Sequence, residues 1–269
     1  MIDLRRLMRA LELSGAAARA KVLGGLSAAD QRALDEAWAW QARRAQEPPP
    51  GDWRVWLILA GRGFGKTRTG AEWVLGKARA TPDARIALVG ATIDDVGRVM
   101  VEGESGIQAC ALTGETIKWQ SSTGELRFPS GAIGQAFSGA NPRGLRGPQH
   151  HFAWADELAK WAEPENTWNV LQMGLRLGDN PQLVVTTTPE RLALLDRLVA
   201  DRKVELSRGA TFDNPHLPAA FVRAMIIDYG RSRLARQELH GELLGEVEGR
   251  CGRARRSRRA ARRCRTARC

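Results

Sequence analysis

The sequence predicts an α/β fold: a mostly parallel central sheet flanked by helices, followed by a small helical C-terminal region. Three observations carry this prediction. Short apolar runs bounded by Gly, Pro or polar residues recur at 53–60, 84–91, 150–157 and 183–189, as strands covered on both faces require. Helical stretches alternate with these runs, and that alternation favours parallel pairing through crossover connections. A glycine-rich turn joins the first apolar run directly to a helix.

Taken in order, residues 3–46 read as helical. Leu4, Leu7, Met8 and Leu11 share one face, and Leu34, Trp38 and Trp40 lie in a second segment. Ser27, before Ala28, Ala29 and Asp30, has the chemistry of a helix N-cap. Pro48, Pro49, Pro50 and Gly51 end this region in a stiff connection. WRVWLILA (53–60) is the first buried strand, and a helix runs from Lys66 to about Arg79. ARIALVGA (84–91) is the second strand. The next helix starts near Thr92, with Asp94 and Asp95 in the first turn, where the helix dipole favours acids. Residues 117–138 read as short antiparallel strands: IKWQSSTGELRF turns at Ser-Thr-Gly, and AIGQAFS follows. SGANPRGLRGPQ (138–149) is a loop. HHFAWADE ends the third buried strand, LVVTTTP (183–189) is the fourth and VELSRGA (204–210) a fifth. From about Leu217 to Glu246 the spacing is helical again. The resulting division is 1–50, 51–214, 215–249 and 250–269, with no internal repeat.

Composition sets the class. With 43% hydrophobic and 26% charged residues the chain is a soluble globular type. No apolar run approaches the ~20 residues that span a bilayer. The N-terminus is too polar for a signal peptide, so a cytoplasmic location is expected. The net charge of +11 comes almost wholly from residues 250–269, which hold ten arginines and no acid. Taking those ten from 41 basic residues leaves 31 against 30 acidic ones, so the body is nearly neutral and basicity is no argument for nucleic acid. The same segment holds Cys251, Cys264 and Cys269, at spacings that match no zinc site. It reads as an out-of-frame continuation of GC-rich coding sequence, the alternative being a disordered arm that grips phosphates. Cys110 reads as a small buried hydrophobe.

The sharpest chemical signal is AGRGFGKT at 60–67. A strand, a tight Gly-rich loop and a helix in that order let backbone N–H groups and a helix N-terminus surround a triphosphate. Lys66 is placed to reach the β- and γ-phosphates, and the Thr67 hydroxyl to ligate Mg²⁺. Gly61, Arg62, Gly63, Phe64 and Gly65 form the loop, in which the glycines permit close approach. The strict pattern has Gly where this chain has Ala60. A P-loop nucleotide hydrolase needs an acid on a neighbouring strand end. HHFAWADE supplies two: Asp156 to hold Mg²⁺, and Glu157 to orient and deprotonate the attacking water. His150 and His151 are adjacent on a strand and point to opposite faces, so they read as strand-edge residues and not as one chelate. The nine Trp read as core anchors.

Taken together, GDWRVWLILAGRGFGKTRTGAEWV, LRGPQHHFAWADELAKW, VVTTTPE and TFDNPHLP resemble the large terminase subunits of tailed phages and of phage-derived gene transfer agents, over roughly residues 38–249. That resemblance implies a P-loop NTPase of the additional-strand type, working as the ATP-driven motor of double-stranded DNA packaging. It implies that Lys66 and Thr67 end the Walker A motif, that Arg62 is its characteristic arginine, able to touch the γ-phosphate, and that Asp156 and Glu157 are the Walker B acids. Thr186, Thr187 and Thr188 match the coupling motif. Gln46 resembles the adenine-reading glutamine of an adenine-side lid within 1–50. Arg146 resembles the arginine that enters a neighbouring subunit's site, with Arg143 as its competitor. The implied partners are double-stranded DNA, the portal protein of a procapsid, a small terminase subunit and further copies in a ring, in the cytoplasm of a bacterial host and with no membrane. Relatives continue into a metal-dependent nuclease domain where this sequence has its arginine-rich segment, so nuclease activity is not expected of this chain. Two other readings stay open: a different helicase-like ATPase, or a prophage remnant that binds nucleotide only.

Overall fold

The computed structural model describes residues 7, 11, 14–230 and 232–244. Leu4 and Met8 of the expected N-terminal face, and all of 250–269 with its three cysteines, lie outside the described residues. Eight strands form one sheet: β1 (Val55–Ala60), β2 (Arg85–Gly90), β3 (Lys118–Gln120), β4 (Glu125–Arg127), β5 (Ile133–Ser138), β6 (Phe152–Asp156), β7 (Gln182–Thr187) and β8 (Val204–Gly209). Their spatial order is β3-β4-β5-β2-β6-β7-β1-β8. Pairing is parallel from β5 to β8 and antiparallel only at β3-β4-β5. The expected 117–138 meander is therefore present, and it extends the main sheet through β5 and β2. Strand β7 sits between β1, which leads into the glycine loop, and β6, which ends in the two acids. That inserted strand is the additional-strand arrangement.

Nine helices are described: α1 (Ala16–Gly24), α2 (Ala28–Asp35), α3 (Trp38–Gln41), α4 (Lys66–Ala80), α5 (Ile93–Asp95), α6 (Pro164–Gly174), α7 (Ala193–Ala200), α8 (Ala219–Tyr229) and α9 (Arg233–Glu238). The helical N-terminal region is three short pieces, broken at Gly24–Gly25 and Glu36–Ala37. Ser27 caps α2 by accepting from the Asp30 N–H at 3.1 Å. Leu34 is buried, but Trp40 lies exposed and not in a core. At Thr92 a reciprocal cap with Asp95 starts α5 as expected, and the chain then widens into a π-helix over Val96–Val101.

The side-chain alternation of β1 sorts the core into two layers. Trp56, Ile58 and Ala60 face α4, whose Ala71, Val74, Leu75 and Ala78 close that layer. Val55, Leu57 and Leu59 face the opposite layer, closed by Trp168 and Leu171 of α6 and Leu194, Leu195 and Leu198 of α7. Each buried aliphatic side chain contributes roughly 1.5–3 kcal/mol, so the sheet holds its strand ends firmly. Helix α4 approaches β6 closely because residue 70 is glycine: a Cβ there would lie 2.1 Å from the Trp154 ring. Helices α6 and α7 were not foreseen from the sequence. Cys110 is buried as expected, and burial pushes its thiol up to about 12. His150 departs from the strand-edge expectation. It is 2% exposed, stacked edge-on against Phe137, and joined to α6 through its N–H to the Gly174 carbonyl at 2.9 Å.

Candidate nucleotide site

The site forms where the carboxyl ends of β1, β6 and β7 meet. After Ala60 the chain turns through Gly63 (φ +72°) and Gly65 (φ +98°), left-handed positions that favour glycine. Helix α4 then begins at Lys66. Its first internal bond is Thr69 N–H to the Gly65 carbonyl at 3.0 Å, so the N–H groups of Lys66, Thr67 and Arg68 precede the helical ladder and are donors for an anion. The loop's own carbonyls are held from outside. Thr211 Oγ1 donates to Arg62 O and Asn214 Nδ2 to Gly63 O, both at 2.6 Å. The Arg62 N–H donates to Glu238 O at 2.7 Å.

Lys66 is 7% exposed and aimed inward. Its ammonium donates to Ala60 O at 3.1 Å, Gly61 O at 3.2 Å and Thr188 Oγ1 at 3.1 Å. Glu157 Oε1 lies 3.8 Å away. Burial lowers the Lys66 pKa, while Glu157 and Asp156 oppose that shift. Asp156 ends β6 and is buried. Burial and then the neighbouring Glu157 push its carboxyl up to about 6, against the Thr186 hydrogen bond and Lys66. Glu157 is one of two non-glycine residues with positive φ among the described residues, at +46°, and this left-handed turn swings its carboxylate off the strand into the cleft. Thr186 Oγ1 donates to Asp156 Oδ1 at 2.6 Å and accepts from Trp154 Nε1 at 2.8 Å. Thr187 Oγ1 accepts from the Ala159 N–H at 3.1 Å, and the Thr188 N–H points at Glu157 Oε2 at 3.4 Å.

These residues fit a Mg²⁺-bound triphosphate. A buried ammonium and a helix N-terminus supply the anion's partners. The Thr67 hydroxyl and the Asp156 carboxylate are hard oxygen donors, and Mg²⁺ binds through one or two carboxylates plus phosphate and water. Among the described residues there is no group of three or more His, Cys, Asp or Glu side chains that could hold a metal ion.

The family described as "Terminase large subunit, T4likevirus-type, N-terminal" matches residues 57–251. The chain belongs to this terminase family. The large terminase ATPase domain of Thermus phage P74-26 superimposes with a TM-score of 0.62 at 15% identity, over 79% of this chain and 98% of that one. The large terminase of another thermophilic bacteriophage matches with a TM-score of 0.59 at 14% identity, over 79% of this chain and 53% of that one. The same terminase in complex with ADP gives 0.59 at 15% identity, over 79% and 52%. At such identities the likeness is one of fold, and this chain spans about half the length of that terminase. No curated protein matches it.

Not every expected residue of the terminase site faces the cleft in the same way. Arg62 lines it, but its guanidinium is paired with Glu238 of α9 at 2.7 Å. The Phe64 ring is buried against Gly209 beneath the Arg43 guanidinium, so only its backbone borders the loop. Gln46 lies under Gly65 with its amide occupied: Nε2 donates to Thr69 Oγ1 at 3.0 Å and Gly65 O at 3.4 Å, and Oε1 accepts from the Arg43 N–H. Arg146 is not brought to its own chain's cleft. It lines a separate groove between the 140–148 loop and α6, with Arg143 and Arg176. Sequence reasoning missed Arg43, Thr211 and Asn214 as supports of the loop. TFDNPHLP contains Thr211 and Asn214, but a side chain that holds a carbonyl leaves no periodic signal in the sequence. No helix among the described residues is long and apolar enough to cross a membrane.

Proposed function

We propose that this chain is the Mg²⁺-dependent ATP-hydrolysing motor of phage-type packaging, which drives double-stranded DNA into a procapsid. The observation that carries the reading is the 3.8 Å approach of the Lys66 ammonium to the Glu157 carboxylate across one cleft, with Thr188 bonded to both. Lys66 exchanges its Ala60 and Gly61 carbonyls for β- and γ-phosphate oxygens, a stronger, charge-assisted contact. The N–H groups of Gly63, Gly65, Lys66 and Thr67 orient the phosphates. Thr67 and Asp156 would hold the metal, and Thr186 fixes the Asp156 rotamer. Mg²⁺ bound there would supply positive charge against that developing on the transferring phosphoryl group. Glu157 takes the proton of the attacking water.

Thr186, Thr187 and Thr188 each touch a different part of the acidic turn, so β7 couples nucleotide state to its own movement. Arg62 reaches the γ-phosphate by leaving Glu238. Gln46 reads adenine only once its amide leaves Gly65 and Thr69. Arg146 acts on a neighbouring copy, which calls for a homo-oligomeric ring on the portal protein, fed by a small terminase subunit in the cytoplasm of a bacterial host. We assign no nuclease step to this chain. The test is phosphate release by the full chain with Mg²⁺ and ATP, with and without double-stranded DNA and procapsid portal. Mg²⁺-dependent turnover that rises with both is expected. No turnover under any of these conditions would refute the motor.

A further inference from the structure

We propose that Lys160 is a second phosphate-facing cation of the cleft, one that recognises the terminal phosphate of a nucleoside triphosphate bound in the same chain. The inference rests on the nucleotide reading above and deepens it. Its origin is the turn that follows the two acids. Glu157 adopts a left-handed conformation and reverses the chain into a 3₁₀ turn over Leu158–Lys160. The Lys160 N–H closes that turn on the Glu157 carbonyl at 2.8 Å, and side chains three apart in a 3₁₀ turn eclipse one another. Lys160 therefore lies over Glu157 and lines the cleft with Lys66, Thr67 and Thr188.

The turn is anchored on every other side. Leu158 is fully buried. The Ala159 N–H donates to Thr187 Oγ1, and Trp161, 4% exposed, donates from Nε1 to the Asp156 carbonyl at 3.1 Å. A Cβ at Gly139 would lie 2.4 Å from the Trp161 ring, so glycine there lets the indole seat. Lys160 is the side chain of this turn left to the cleft.

The cations around the cleft differ in how they are committed. Lys66 makes three hydrogen bonds, Arg62 is paired with Glu238, and Arg68 with Glu72. Among the described residues the Lys160 ammonium, more than half exposed, meets only Glu157 Oε2, at 4.0 Å. Exposed pairs of that length are weak, so Lys160 is the cation recruited at least cost. A γ-phosphate entering beside Glu157 brings negative charge against negative charge, and Lys160 is placed to offset both. A diphosphate ends short of Glu157 and has no such need. Moving to the phosphate also frees the Glu157 carboxylate to accept a proton from water.

The test is equilibrium binding of Mg²⁺-ADP and Mg²⁺-ATPγS to the full chain and to its Lys160→Met and Lys160→Arg variants. Lys160→Met should weaken ATPγS by at least ~10-fold and leave ADP within about 2-fold, a discrimination in line with the loss of one charged contact. Lys160→Arg should recover most of the loss. Retained ADP binding reports that the variant is folded. Equal weakening of both nucleotides, or of neither, would overturn the assignment of Lys160. Failure of the unsubstituted chain to bind either nucleotide would instead strike at the nucleotide reading.

Discussion

Two concave regions of this molecule are built on opposite plans. In the cleft of about 470 Å³ between Lys66, Glu157 and Thr188, nearly every functional group already bonds to another. In the groove of about 800 Å³ between the 140–148 loop and α6, Arg143, Arg146 and Arg176 are exposed, and none makes an ion pair within the described residues. The cleft is preorganised for a ligand by the backbone of its own chain. Glu163 also lines the groove, but among the described residues none of the three arginines is paired with it, as the proposed action of Arg146 on a neighbouring copy requires. Catalysis on the first plan survives dilution to single chains. Catalysis that needs the second does not.

The largest effects belong to the cleft. Lys66→Ala removes the ammonium that four groups now surround, and turnover should fall roughly 10³-fold or more, with weakened nucleotide binding. Glu157→Gln is nearly isosteric, so nucleotide should still bind while hydrolysis falls by roughly 10²–10⁴-fold. Single-turnover phosphate release beside nucleotide binding separates the two variants. Normal hydrolysis by Glu157→Gln would mean that another group is the base.

The next effect tests the contrast itself. Arg146→Ala should lower turnover at least ~10-fold at high protein concentration, and by roughly 10³-fold or more if it acts as a full trans-acting arginine, and change little in dilute solution. Mixing Arg146→Ala with Lys66→Ala should restore activity that neither has alone, because one supplies an intact loop and the other an intact arginine. No recovery on mixing would put Arg146 back in solvent. If Arg143→Ala carries the loss instead, the assignment moves three residues upstream.

How much of this was legible in the sequence follows the same division. The loop, the two acids and the threonine run are local, each read as a short word after an apolar strand, and the sheet places them as expected. The strands β1, β2, β6 and β7 were equally plain, because central parallel strands are apolar on both faces. What was lost was relational. Helix α7 shows Leu194, Leu195 and Leu198 on one face, a pattern present in the chain but masked by its brevity. Helix α6 begins with Pro164, Glu165 and Asn166 and shows only sparse apolar positions. Lys160 is an ordinary lysine until the left-handed Glu157 folds it back over the cleft. Arg176 joins Arg143 and Arg146 only once α6 packs beside the loop, so no basic patch is visible along the chain.

The smallest effect concerns what fixes the groove. His150 lies beneath it, accepting from the Arg176 and Leu177 N–H groups at 3.1 Å each, with its Nε2 buried and unpartnered. Burial, with Arg85 and His151 adding, depresses its pKa from 6.5 to about 4. The unfolded chain therefore binds this proton first, and stability present above 6.5 is lost as pH falls toward 4, by about 3 kcal/mol in all. Asp156, raised to about 6, acts in the opposite sense: its contribution is lost as pH rises from its ordinary value through 6. The two act in opposite directions over overlapping pH ranges, so the acid profile of the unsubstituted protein does not isolate either. A difference measurement exposes His150. His150→Phe keeps an aromatic ring against Phe137 and removes the titration. Urea denaturation at about pH 7 and about pH 4.5 should show the variant gaining roughly 2–3 kcal/mol on the unsubstituted chain as the pH drops. A gap that stays constant with pH would mean that His150 takes up its proton in the fold as readily as in the unfolded chain, so that burial does not keep it neutral.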